Sequence, residues 1–421
     1  MVYKDSRIPW IGSIPTHWEV VRGKNVLKLL NRPVREDDEI VTCFHDGTVT
    51  RRADKTDRRI NLSTLETRYQ GVEPGDLVVH SMDASNGAIG ISDSRGKATP
   101  VLLVLDSKHN KRYLMYYLRM VANRNVFQSM SDGIRNHSCD LTWRKLAAFP
   151  FVLPSPAEQT RIADYLDHAL SKIDAIIAEA KESIEDYRRW KAVRIYEVLT
   201  RGLGADAQMK DSGIPWIGKI PTGWSVQKLK TLVREPLRQG TLESGVAYDP
   251  DLPRYIRSAD IAPDGTLKDD NKRSLSGSVT QKYLLEDGDL LFIRSGETVG
   301  RSCIYHSAET ATWASYLIRA RIDDKLIHPK LVLYATFAAN YDDWKTTAMT
   351  SAVVKNISGS KYGDWSIVVP PIAEQEQLVR YIEDKILPVD DLISQREALI
   401  ADLSDYKQSL ICETVTGQTK P

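Results

Sequence analysis

Apolar residues return in alternating steps of four and three along the stretch that follows Ser155-Pro156-Ala157-Glu158-Gln159. Ile162, Leu166, Ala169, Ile173, Ile177, Ala180, Ile184 and Tyr187 mark those steps, which predict the seam of a coiled coil. Ser155 with Glu158 three residues on reads as a capping box, and Pro156 occupies a first helical position where its missing N–H costs nothing. No glycine or proline interrupts the run until Gly202 and Gly204, which stop it. At 1.5 Å per residue the predicted helix is roughly 65 Å long, far beyond an ordinary globular helix.

The same pattern occurs a second time. Pro370-Pro371-Ile372-Ala373-Glu374-Gln375 matches Pro154-Ser155-Pro156-Ala157-Glu158-Gln159 at an offset of 216 residues. The seam continues through Leu378, Ile382, Val389, Ile393, Ile400, Leu403 and Leu410. The copy departs in three ways: Pro371 replaces the capping serine, Lys385 and Arg396 take seam places held by Ala169 and Ala180, and Pro388 lies inside the helix. A proline there is expected to kink or interrupt it.

A second repeat surrounds this one. Asp5 to Trp18, with its Ile-Pro-Trp-Ile-Gly-x-Ile-Pro-x-x-Trp core, returns as Asp211 to Trp224. Such a proline- and tryptophan-rich piece is expected to be an extended strap, pinned to a neighbour by its buried tryptophans. Between strap and helix, residues 25–150 carry short apolar runs that predict strands (Leu77-Val78-Val79, Val101 to Leu105) and a short helix over Tyr113–Met120. Residues 225–369 repeat the landmarks in order: Asp46-Gly47-Thr48 with Asp264-Gly265-Thr266, and Gly75-Asp76-Leu77 with Gly288-Asp289-Leu290. Loops between the landmarks differ in length, as expected of a fixed skeleton with variable loops.

The predicted class is α+β. It comprises two mixed blocks separated by a pair of long antiparallel helices forming a coiled coil, with internal duplication and pseudo-two-fold symmetry. The segments are a strap packed on the coil (1–24), a block (25–154), a long helix (155–202), a linker and second strap (203–224), a second block (225–370) and a C-terminal long helix (371–421). Antiparallel helices follow because the ends of a compact domain usually lie together.

Composition narrows the function. Of 421 residues, 42% are hydrophobic, and no apolar run reaches the ~18 residues of a membrane-span candidate. Four cysteines, far apart, argue against disulfide or zinc frameworks and fit a reducing cytoplasm. The overall charge of +1 resolves into +6 over residues 1–155, −1 over 156–201, +1 over 202–371 and −5 over 372–421. Neutral-to-acidic helices beside a basic first block favour protein on the helices and nucleic acid on the blocks. No phosphate-binding loop, nucleophile elbow, zinc-protease motif or adenine-methylase motif is present, so no catalytic or metal-ligating residue is expected.

The residues suited to nucleic acid are cations, amides and hydroxyls on loops. In the first block these are Arg51, Arg52, Lys55, Arg58 and Arg59, then Ser81, Ser85 and Asn86, then Arg135 and Asn136. In the second they are Arg254, Arg257, Lys268, Lys272 and Arg273, then Arg294, Ser295 and Thr298, then Lys355 and Asn356.

The duplicated strap, the Gly-Asp-Leu strand entries and the duplicated Pro-x-x-x-Glu-Gln helix start resemble the DNA-specificity subunits of type I restriction–modification systems. The resemblance spans the whole chain. It implies that each block is a target recognition domain for half of a split site in double-stranded DNA. The paired helices would then set the spacer and dock the methyltransferase subunits. It also implies a complex with two adenine-methylating modification subunits and two ATP-dependent restriction subunits. S-adenosylmethionine, ATP and magnesium would belong to those partners and no cofactor to this chain. The rival reading is a non-enzymatic coiled-coil scaffold that binds only proteins; salt-dependent retention on DNA separates the two.

Overall fold

The computed structural model describes residues 2–55, 68–130, 139–204, 207–277, 283–349 and 355–420. It divides into two compact units, Met1–Glu179 with Leu399–Pro421, and Ala180–Ala398.

In the first unit the strap is a hairpin rather than a single extended piece. Tyr3–Asp5 pairs antiparallel with Ser13–Pro15, and the Ser6 amide closes the turn on the Gly12 carbonyl at 2.9 Å. Gly12 adopts φ +77° there, a backbone that glycine enters without penalty. The tryptophans do pin the strap: Trp10 stacks on Phe149 with ring centroids 5.4 Å apart, and Trp18 is buried.

The block behind the strap is built on a four-stranded antiparallel sheet. Its order is Lys28–Leu29, Leu102–Asp106, Leu77–His80, Ile89–Ile91. Leu77, Val78 and Val79 are all buried because the sheet is covered on both faces. Alternation sends Leu77 and Val79 into the core that holds the Lys111–Asn123 helix, and Val78 into a second core with Val41, Cys43 and Val49. The Gly-Asp-Leu entry is a turn held from inside. Buried Asp76 accepts from the Glu73 amide at 2.8 Å and from the Arg32 guanidinium.

The second unit repeats these devices. Met209–Asp211 pairs with Lys219–Pro221, and a four-stranded antiparallel sheet runs Arg238–Gln239, Leu317–Ala320, Leu290–Ile293, Ser302–Ile304. Asp289 accepts from the Glu286 amide at 2.8 Å and from Arg321 at 2.8 and 2.9 Å. A further sheet, ordered Val246–Ala247, Arg273–Ser274, Arg254–Ile256, Ala311–Trp313, has no counterpart of that size among the described residues of the first unit.

The Pro156–Arg201 helix begins as its sequence predicts. The Ser155 amide donates to Glu158 Oε2 at 3.1 Å and the Glu158 amide donates to Ser155 Oγ at 3.4 Å, the reciprocal pair of a capping box. The glutamine beside each glutamate does different work. Buried Gln159 donates to the Pro154 carbonyl at 2.9 Å and accepts from the Asn110 amide at 3.1 Å. Gln375 donates to the Pro370 and Leu326 carbonyls and accepts from the His328 amide at 2.6 Å. Each thereby fastens a helix start to the loop that opens a short helix of its block.

Seam positions Ile162, Leu166, Ile173, Ile184, Leu378, Ile382, Val389 and Ile393 are buried, while Ile177, Ile400 and Leu403 are partly covered. The second long helix is two helices, Ile372–Lys385 and Val389–Val415. Pro388 has no amide to continue the ladder and its ring excludes the helical path before it. The Ile386 and Leu387 amides both turn onto the Ile382 carbonyl, at 3.0 and 2.9 Å. Lys385 is exposed at the break, and Ile386 fills the core in its place. In the second unit, Arg188 meets Glu397 at 2.9 Å and Lys191 meets Asp390 at 2.5 Å. In the first, Lys407 pairs with Asp174.

Gly202 and Gly417 both end helices in the left-handed region, at φ +73° and +74°. A Cβ on Gly202 would stand 3.2 Å from the Trp224 ring. One on Gly417 would stand 2.7 Å from Pro15 and 2.9 Å from the Trp18 ring. In each unit, therefore, the second strap tryptophan lies over the glycine that terminates a helix.

Candidate nucleic-acid interface

In the first unit the nominated cations among the described residues, Arg51, Arg52 and Lys55, have protein partners. Arg51 lies 3.7 Å from Glu39, and Arg52 Nε donates to Thr42 Oγ1 at 3.1 Å. Lys55 pairs with Asp46, bonds Thr48 at 3.2 Å and stands 4.5 Å above the Phe44 ring. Arg52 and Lys55 border a cleft of about 670 Å³ shared with His45, His80 and Asp83. His80 Nδ1 accepts the Asp83 amide at 3.1 Å, and burial, against the pull of Asp83, holds the imidazole below its ordinary range. His80 is thus a neutral acceptor that shapes the loop after its strand.

That loop carries Ser81, Ser85 and Asn86. The Leu141 amide donates to the Ser81 carbonyl and the Cys139 amide to the Met82 carbonyl, both at 2.9 Å. Ser85 Oγ is enclosed without a hydrogen bond, and Asn86 is exposed. Arg58, Arg59, Arg135 and Asn136 lie outside the described residues.

In the second unit three expected DNA contacts are internal ion pairs. Arg254 is only 5% exposed; its Nη1 donates to Asp269 at 3.0 Å and faces Glu309 at 3.7 Å. Lys272 shares the same two carboxylates, at 3.2 and 3.5 Å. Arg257 makes a two-pronged contact with Asp260, at 2.7 and 3.1 Å. Their positive charge is neutralised by Asp260 and Asp269, three residues from Arg257 and Lys272, and by Glu309, which reaches Arg254 and Lys272 from far along the chain. Lys268 and Arg273 are exposed and make no ion pair among the described residues.

The remaining nominees converge. Ser295 forms a β-bridge with Asn356, the Ile357 amide donates to the Arg294 carbonyl at 2.8 Å, and the Gly296 amide donates to the Lys355 carbonyl at 3.1 Å. Two segments about 60 residues apart in the chain thus form one patch, with Thr298 part-covered in the same loop. The patch is held from beneath. Tyr362 donates to the Ile293 carbonyl at 2.7 Å and Tyr341 to the Gly300 carbonyl at 2.9 Å. Burial raises both phenols well above their ordinary range, so each remains a donor at neutral pH.

The corresponding junction exists in both units. The Ser81 amide donates to the Val101 carbonyl at 2.8 Å, and the Arg294 amide to the Tyr316 carbonyl at 2.9 Å. Tyr316 and its neighbour Leu242 were not legible as surface residues: an apolar residue beside a strand reads as core. Yet Tyr316 is 60% exposed and Leu242 87%. Among the described residues no group of three His, Cys, Asp or Glu could hold a metal ion, and no helix is long and apolar enough to cross a membrane.

No protein-family model matches the chain. It is 22% identical over 440 residues to the type I restriction enzyme StySPI specificity subunit of Salmonella potsdam, across 97% of this chain and 90% of that protein. It is 21% identical over 438 residues to the type I restriction enzyme EcoKI specificity subunit of Escherichia coli K12, with the same coverage. In fold it resembles a solved chain from work on complex assembly and conformational transition of the type I R-M system. That match has a TM-score of 0.69 at 14% identity and covers 96% of this chain and 99% of that one. In sequence the likeness to type I restriction enzyme specificity subunits runs nearly end to end, and it goes with a shared fold.

Proposed function

We propose a division of labour within this non-catalytic DNA-specificity subunit. Residues 25–154 and 225–370 are target recognition domains, each reading one half of a split site in double-stranded DNA. The strap segments 1–24 and 203–224 and the helical segments 155–202 and 371–421 form the frame. The long helices run antiparallel as a coiled coil, related with the blocks by an internal duplication of pseudo-two-fold symmetry. They set the gap between the half-sites and dock two adenine-methylating modification subunits, with two ATP-dependent restriction subunits joining for cleavage. S-adenosylmethionine, ATP and magnesium act on those partners.

The observation that carries this reading is the shared loop junction. The same backbone bonds, on the same strand end, present Ser81, Met82 and Val101 in one unit and Arg294, Ser295 and Tyr316 in the other. A common scaffold with unlike side chains at its tip is what two readers of different sequences need. The repeated strap register and the ion pairs of residues 188 and 191 with 397 and 390 support the duplication and the antiparallel sense. The test is to replace residues 225–369 with a foreign recognition block and sequence the methylated adenines in cells carrying the system. One half of the modified site should change and the other persist; change in both halves would refute modular reading.

A further inference from the structure

Three of the seven nominated cations of the second unit, Arg254, Arg257 and Lys272, are already neutralised, and of the other four Arg294 and Lys355 stand together. Arg294 is half-buried, its Nε is enclosed without a hydrogen bond, and no carboxylate lies in ion-pair range of it among the described residues. A half-buried guanidinium whose charge no acid offsets is left free to engage an incoming polyanion. Exposed Lys355 adds a second positive charge beside it.

Around these cations the surface is apolar where a soluble tip would ordinarily be polar. Tyr316 is in a turn closed by the Leu317 amide on the Ala314 carbonyl at 2.9 Å. Its hydroxyl has no hydrogen-bond partner among the described residues. Leu242 follows Thr241, whose carbonyl accepts the Ser315 amide at 2.8 Å. The tyrosine and the leucine therefore stand on adjacent, mutually bonded loops, with Ser295 alongside. Apolar contacts read thymine methyls, arginine reads guanine or a phosphate, and hydroxyls serve either. Protein partners are disfavoured by the unpaired guanidinium, whose natural complement is phosphate or the acceptor edge of a base.

We propose that Arg294 and Tyr316 form the base-reading element of the second unit, with Arg294 engaging the acceptor edge of a base or its phosphate and Tyr316 packing against the neighbouring base. This rests on the reading of residues 225–370 as a recognition domain. Tyr316 is a specificity-determining residue held in place by the rigid junction beneath it: the Arg294 amide grips its carbonyl, and Tyr362 and Tyr341 fix the strand end and loop that carry Arg294.

The test uses the full chain co-expressed with its modification subunit, and methylated adenines are sequenced for wild type, Tyr316→Ala, Tyr316→Gln and Tyr248→Ala. Tyr248 is an exposed tyrosine of the same unit whose hydroxyl donates to Glu309 Oε1 at 2.8 Å. Both Tyr316 variants should leave one half of the modified site unchanged and relax at least one position of the other, with discrimination there falling roughly 5- to 150-fold. Tyr248→Ala should leave the site as in wild type. Arg294→Ala should weaken binding to a duplex bearing the wild-type site by about tenfold or more. Unaltered sites in both Tyr316 variants would overturn the proposal, and so would failure of those variants to co-purify with the modification subunit, which would mark a protein contact. If the foreign-block replacement alters both halves while Tyr316→Ala alters one position, the fault lies with modular reading and not with this residue.

Discussion

His17 Nε2 lies 2.9 Å from Glu158 Oε1, so the carboxylate that caps the long helix also receives the strap. In the second unit the partner changes but the link persists: Trp224 donates its indole N–H to Glu374 Oε2 at 3.0 Å. Gly223 stands where His17 would, and the indole takes over. Trp18, relieved of that role, keeps an enclosed Nε1 without a partner.

This arrangement makes the first unit acid-sensitive. Burial alone would raise Glu158, but the His17 ring and the Ser155 hydroxyl and amide outweigh it and hold the carboxyl at about 2, below its ordinary 4.5. A depressed carboxyl contributes stability that is complete above the unfolded value and is lost as pH falls through the folded one. Glu158→Gln should therefore lower Tm at neutral pH, with a loss of about 1 kcal/mol for the cap. The gap from wild type should close as pH drops from 4.5 towards 2. Thermal unfolding against pH measures this; a gap that stays constant through that window would be the contrary result.

The helix-terminating glycines should differ in tolerance. Alanine at either site meets the left-handed backbone penalty of about 1 kcal/mol. Gly417→Ala adds contacts of 2.7 Å with Pro15 and 2.9 Å with Trp18, while Gly202→Ala adds one of 3.2 Å with Trp224. The first variant should lose clearly more stability in chemical denaturation than the second, and an equal loss would mean that Pro15 and Trp18 yield freely.

Arg254 separates internal charge from recognition. Arg254→Ala leaves Asp269 and Glu309 to Lys272 alone and should cost roughly 1–3 kcal/mol of stability. The salt dependence of DNA binding should stay as in wild type. A slope reduced by about one would show that the side chain meets a phosphate after all.

If the helices set the gap in the split site, one added turn, about 5.4 Å, should be read out on DNA. Four residues inserted after Ala180, with the matching insertion in the Val389–Val415 helix, should shift the tolerated spacing by about one or two base pairs. Sequencing of methylated adenines gives the spacing directly.

What could be read from the sequence was whatever local chemistry dictates. The Ser155–Glu158 box, the seam residues, the Gly75 and Gly288 turns and the proline interruption all depend on neighbours within a few positions. What could not be read depended on partners far along the chain. Nothing near Arg254 announces Glu309, and nothing near Gln375 announces His328. The strap hairpin was missed because its pairing rests on a turn from Ser6 to Gly12 rather than on alternation. Tyr316 was missed because exposure is a property of the folded surface. Arg294 and Lys355 were nominated separately, and only folding joined them.

The contact between Trp18 and Gly417 has a bearing on synthesis. The second unit is one continuous stretch, Ala180–Ala398, whereas the first needs Leu399–Pro421 to be finished. On the ribosome, the half that is started first is therefore completed last. Trp10 can settle on Phe149 early, but Trp18 must wait until the tail that carries Gly417 has emerged.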